Sequence, residues 1–205
     1  MKVTTIGLDL AKNVFQVHGV DQDGSPVLRR QLRREQVLAF FVKLQPCLIG
    51  IVACAGAHYW ARKLEAQGHT ARIMPAQFVK PYAKTHKNDV ADAEAICEAV
   101  GRKNMRFVPI KTPEQQAVLA LHRSRQAALK ARTAQANQIR GFLAEYGIVF
   151  GQGIKQVFKR VPALLEQAAD ELPGPLVALL PRLLEHLKYL DRQLQELENE
   201  IKRWH

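Results

Sequence analysis

The tightest constraint on this chain lies at its C-terminal end. Leu176, Leu180, Leu183, Leu187, Leu190, Leu194, Leu197, Ile201 and Trp204 recur at alternating spacings of four and three residues. An apolar residue every 3.5 positions cannot line a strand face, whose period is 2, so the segment must be a long helix with a coiled-coil seam. Such a seam needs a partner. It can pair with the same seam of a second copy, or fold back on a second long helix expected over 113–146, which Thr112 can cap and Pro113 can start. Pro181 would clash with the carbonyl four residues before it, so the regular helix is expected to begin near Pro181 rather than at Pro175. Gly151, Gly153, Pro162, Pro173 and Gly174 are expected to break the stretch between the two helices into short pieces.

The first hundred residues follow different rules. Val3–Leu10, Val14–Val20 and Val27–Leu32 are β-rich runs, the last two separated by the turn cluster 21–26, and together they predict an antiparallel meander. A helix is expected over 34–44, a strand over 47–53, a helix over 58–67 closed by Gly68, a strand over 70–74, and a helix over 89–102. The order strand-strand-strand-helix-strand-helix-strand predicts an α/β, RNase H-like domain over 1–110. An all-α extension over 111–205 follows it.

Charge narrows the partners. Thirty Lys and Arg against nineteen Asp and Glu give a formal charge of +11, but residues 102–160 alone hold twelve basic and two acidic side chains, while 161–205 hold five and eight. A concentrated basic stretch favours a polyanion and counterion release along it. Arg123, Arg125, Lys130, Arg132 and Arg140 lie in the second long helix with no acid between Glu114 and Glu145, so they are candidate phosphate contacts. Lys80, Lys84 and Lys87 form a smaller basic group beside Tyr82, a candidate to stack on a base or to pack. Three unpaired cysteines suggest neither a disulfide framework nor a zinc site, and the N-terminus has no signal-peptide pattern. With no apolar run long enough to span a bilayer, a soluble cytoplasmic protein is expected.

Three carboxylates could carry chemistry. Asp9 ends the first strand, and Asp89 and Asp92 stand one helical turn apart. Together they could hold a divalent cation that also binds a phosphodiester. Asp89 and Asp92 also suit a simpler role at a helix N-terminus. His58 fits a packing role better than a ligand role, and neither Glu94 nor Glu98 returns to the face shared by the aspartates. The Gly-x-Asp at the strand end also occurs in actin-like sugar kinases, but Leu10-Ala11-Lys12-Asn13 lacks their phosphate turn.

The pairing of Gly7-Leu8-Asp9-Leu10-Ala11-Lys12 with Lys87-Asn88-Asp89-Val90-Ala91-Asp92 resembles the DEDD transposases of bacterial insertion sequences, the Piv-like, bridge-RNA-guided recombinases. The segments 53–60, 77–82 and Arg106-Phe107-Val108-Pro109 carry the resemblance further. It implies a RuvC-like domain supplying Asp, Glu, Asp and Asp for magnesium, then a coiled coil and a domain with a nucleophilic serine. It also implies DNA and a structured guide RNA as partners, and a homodimer or higher oligomer. In this chain the first Asp is Asp9, the last two are Asp89 and Asp92, and the Glu falls on Val52. The resemblance therefore implies DNA transposition with a weakened metal site, the serine domain not being part of this sequence. The alternative is a catalytically inactive nucleic-acid-binding or assembly module from a truncated element.

Overall fold

The computed structural model describes residues 2–82, 89–167 and 171–204. It divides into two compact units, Met1–Thr112 and Pro113–His205.

The first unit is built on a five-stranded mixed sheet of order β3-β2-β1-β4-β5. Strands β1 (Thr5–Asp9), β2 (Val14–Val20) and β3 (Pro26–Arg33) form the antiparallel meander, while β4 (Leu48–Val52) and β5 (Thr70–Met74) run parallel to β1. The two ends of the sheet differ in their side chains for a physical reason. β1 and β4 are covered on both faces and are therefore nearly continuous apolar runs, whereas β3 is an edge strand with exposed Arg29, Arg30, Gln31 and Arg33.

One face of the sheet packs against α1 (Val37–Phe41) and α2 (Ala57–Glu65) through Ile6, Leu8, Ile49, Ile51, Phe15, Trp60 and Leu64, all 4% exposed or less. Phe15 and Trp60 meet edge to face with ring centroids 5.1 Å apart. Burying each such large side chain contributes about 1.5–3 kcal/mol, so this face is a major source of the unit's stability. The opposite face carries α4 (Asp89–Val100), with α3 (Ala76–Val79) beside it, and Met74, Val79, Ala95, Ile96, Ala99 and Val100 close that side.

Gly7 and Gly50 explain how closely α4 approaches. They are paired in register on neighbouring parallel strands. A Cβ on Gly7 would collide with the Ala93 carbonyl and the Cys97 backbone nitrogen, and one on Gly50 would lie 2.7 Å from Val100 Cβ. The missing side chains form a shallow bed for the helix backbone. Since side chains alternate along a strand, Asp9 and Val52 lie on this same α4 face, two residues beyond the glycines.

In the second unit α5 (Pro113–Ala144), α6 (Ile154–Gln167) and α7 (Gly174–Lys202) share one core. Arg125 pairs with Glu198 and Arg132 with Asp191, each at 2.6 Å, and His186 Nδ1 donates to Gln135 Oε1 at 2.7 Å. Partners that rise along α5 fall along α7, so the two helices run antiparallel. The leucine seam thus folds back within the chain: Leu180, Leu187, Leu194 and Ile201 are buried, and Leu183, Leu190 and Leu197 are half-buried.

Two expectations are corrected here. α7 begins at Gly174, with Pro175 in its first turn and Pro181 inside it, and α6 passes through Pro162. Pro181 lies on the exposed side of α7, between buried Leu180 and Leu184, and burial of those neighbours outweighs the backbone bond that proline removes.

Candidate nucleic-acid and metal site

The end of β1, the end of β4 and the first turns of α4 converge on one pocket of about 190 Å³, lined by Asp9, Val52, Ala76, Val79, Lys80, Asp92, Ala95 and Ile96. Local sequence dictates each placement. Register fixes Asp9 beside Val52, because β1 and β4 pair Gly7 with Gly50 and Leu8 with Ile51. The close seat of α4 on the two glycines then brings Asp92 over the strand ends. Lys80 comes from the turn after α3.

Asp9, Val52 and Asp92, though far apart in sequence, thus share a single pocket. Asp89 is the first residue of α4, one turn before Asp92; its side chain lies outside what is described, as do Lys84 and Lys87. Among the described residues, no group of three or more His, Cys, Asp or Glu could hold a metal ion. What the pocket offers is two carboxylates, a lysine and an otherwise apolar wall.

Cys54 follows β4 and is largely exposed. Partial desolvation, and then the negative charge of Asp9, push its thiol above the usual range. Cys97 and Cys47, deeper in the unit, are pushed up to about 11, chiefly by burial. His58 is occupied elsewhere: its Nδ1 accepts the Lys111 backbone N–H at 3.2 Å, and burial with Lys111 and Arg62 nearby lowers its pKa. Glu98 pairs with Arg102 at 2.6 Å on the outside of α4, and the Arg102 guanidinium also stands 5.6 Å from the centre of the Tyr82 ring. Tyr82 is half-buried and packs against the α4 core.

The basic helix divides into two groups. Arg125 and Arg132 face α7 and are ion-paired, whereas Arg123 and Lys130 are exposed and have no ion pair among the described residues. Arg140 is half-buried, with Nη1 3.4 Å from Asn137 Oδ1. Sequence reasoning missed these pairs because Asp191 and Glu198 are 59 and 73 residues away from their partners. It also passed over Gly7 and Gly50, although glycine inside an apolar strand signals a close backbone approach.

Residues 6–148 match the transposase family DEDD_Tnp_IS110. A "Probable family 20 transposase" of Pseudomonas aeruginosa is 48% identical over 202 residues, which is 98% of this chain and 60% of that protein. The "Transposase for insertion sequence element IS1328" of Yersinia enterocolitica is 44% identical over 98% of this chain and 59% of its own length. The corresponding IS1111A transposase of Coxiella burnetii is 38% identical over 98% of this chain and 55% of its own length. The chain therefore spans somewhat more than half the length of these relatives, and by the family match and these identities it belongs to the DEDD transposase family of bacterial insertion sequences.

Proposed function

We propose that this chain is the N-terminal region of a DNA transposase, an RNase H-like, RuvC-like unit followed by a helical extension, which binds DNA and a structured guide RNA at a metal site weakened by Val52. The observation that carries this reading is the convergence of Asp9, Val52 and Asp92 on one pocket. The strand order, with a meander preceding two parallel strands, supports the RNase H-like assignment.

Magnesium prefers carboxylate oxygens and usually keeps several waters, needing only one or two protein carboxylates plus a substrate phosphate. Asp9 and Asp92 fit one such ion, with Asp89 the proposed third ligand. When bound, the ion would polarise a phosphodiester and steady charge on its oxygens. A symmetric pair of ions needs more oxygens than these residues offer, and Val52 contributes none. Lys80 would meet a phosphate at the pocket mouth, and Val52, Val79 and Ile96 would keep bulk water from the reacting face. In the second unit, taken by itself, the exposed Arg123 and Lys130, with Arg140, would hold phosphates. Arg125 and Arg132 would do so only by exchanging their carboxylates. Dimerisation through the helices, which the family resemblance suggests, would use faces other than the leucine seam, since that seam is covered within the chain.

Val52 also favours a second reading, a catalytically inactive nucleic-acid-binding or assembly module. Both readings require salt-dependent binding. Fluorescence anisotropy with duplex DNA and a structured RNA should give log K falling linearly with log salt, each phosphate contact adding about 0.9 to the slope on B-DNA. Binding to neither polymer, or binding indifferent to salt, would contradict both.

A further inference from the structure

The row of residues level with Asp9 continues across the sheet. Asp9 pairs with Gln16 on β2, and Gln16 pairs with Gln31 on the edge strand β3. Residues directly opposite one another in a ladder point to the same face, so all three stand on the side that carries α4. Gln31 lies about 10 Å from Asp9, two strand spacings away. Arg29, two positions before Gln31, shares that face.

These side chains do not form a flat surface. Gln16, Gln31, Arg29 and Arg30 line a second cavity, of about 250 Å³, closed on its other side by Val90 and Ala93 of α4. Val90 and Ala93 are three residues apart and so share a helix face, while Asp92, Ala95 and Ile96 line the carboxylate pocket. The start of α4 therefore separates two pockets joined by the strand-end row beneath it. Among the described residues, no acid lines the second one. Arg29 is exposed and has no carboxylate partner among the described residues, whereas the Arg30 guanidinium, 5.7 Å from the centre of the Phe40 ring, lies on the opposite, α1 face, so Arg29 is the arginine offered to the cavity. A basic cavity with two amide side chains matches a sugar-phosphate backbone: arginine takes phosphate oxygens, and glutamine bonds phosphate or sugar whatever the base.

We propose that this cavity is a backbone-binding subsite, in which Arg29, Gln31 and Gln16 hold a nucleic-acid strand one or two nucleotides from the phosphate at Asp9 and Asp92. The subsite rests on the nucleic-acid reading above. It gives the edge strand a task apart from folding, and it sets the direction in which the strand crosses the sheet, from the carboxylates toward β3. Amide contacts without base edges make the subsite indifferent to sequence.

The test is anisotropy with the whole chain, using separate single-stranded DNA and RNA probes of one sequence, and comparing wild type with Arg29→Glu, Gln31→Ala and Lys43→Glu. Lys43 is exposed and lines a different cavity, with Lys2, Val3, Leu44 and Gln45, and its substitution makes the same charge change as that at Arg29. The expected result is a loss of about tenfold or more for Arg29→Glu, a smaller loss for Gln31→Ala, and little change for Lys43→Glu, with the salt slope reduced only at Arg29. Loss on one probe alone identifies DNA or RNA as the strand held here. Equal losses for Arg29→Glu and Lys43→Glu would mean a net-charge effect and overturn the subsite, as would wild-type affinity in both Arg29→Glu and Gln31→Ala. If wild type binds neither probe, the nucleic-acid reading itself fails. Circular dichroism of each variant separates these results from misfolding, and Arg29→Gln provides a milder variant with the same expected direction.

Discussion

At the residue scale, Cys54 reports on Asp9. Its thiol is pushed up by partial desolvation and then by the carboxylate's charge, so removing that charge must raise the thiolate fraction. Asp9→Asn should speed iodoacetamide alkylation of Cys54 at pH 8, and magnesium should do the same in wild type if Asp9 binds it. Mass spectrometry of the Cys54 peptide reads the rate, and an unchanged rate in Asp9→Asn would contradict the proximity. The buried thiols have another consequence. The pKa of Cys47 and Cys97 in the folded protein is raised from 9.0 to about 11, so above pH 9 the unfolded chain releases protons that the native state keeps. Their contribution is complete below pH 9 and is lost as pH rises through about 11. The urea midpoint should fall over that window, and less steeply in Cys97→Ala. At this scale the aspartates were legible from the sequence because they sit at a strand end and a helix start. The ion pairs of Arg125 and Arg132 were not, because charges that meet across a helix hairpin leave no trace in local spacing.

At the scale of elements, the strands Val14–Val20 and Thr70–Met74 were legible to the residue, because β-branched runs between turn signals leave few alternatives. The start of α7 was misjudged because proline's penalty is local, whereas the burial that offsets it is tertiary. The seat of α4 on Gly7 and Gly50 depends on two absent side chains, so Gly7→Ala should act far beyond its size. Backbone atoms cannot yield as a flexible side chain does, and a cost of about 3 kcal/mol or more is expected. Buried Trp60 reports on this unit, and its urea transition should shift strongly. In the second unit, Leu187→Ala should cost about 2–5 kcal/mol, since Leu187 is fully buried between the helices. Breaking the Arg132–Asp191 pair, both of whose side chains reach solvent, should cost only about 0–1 kcal/mol. Denaturation of the three variants orders these effects, and an ion pair worth more than the leucine would contradict this account of the hairpin.

At the scale of the molecule, the chain joins a sheet-based unit with a pocket that holds Asp9 and Asp92 to a helical unit with a basic flank. The change from a sheet to long helices was legible in outline, since hydrophobic period changes from 2 to 3.5 along the chain. The partner of the leucine seam was not legible, because a periodic stripe states that something covers it and not what. The central claim is that the pocket of Asp9 and Asp92 is a metal site lacking one oxygen ligand at Val52. Isothermal titration calorimetry with magnesium, comparing wild type, Val52→Glu and Asp9→Asn/Val52→Glu, tests it most directly. The account predicts weak binding in wild type, binding at least tenfold tighter in Val52→Glu, and loss of that gain when Asp9 is also replaced. Magnesium affinity unchanged by Val52→Glu in a folded protein would contradict it.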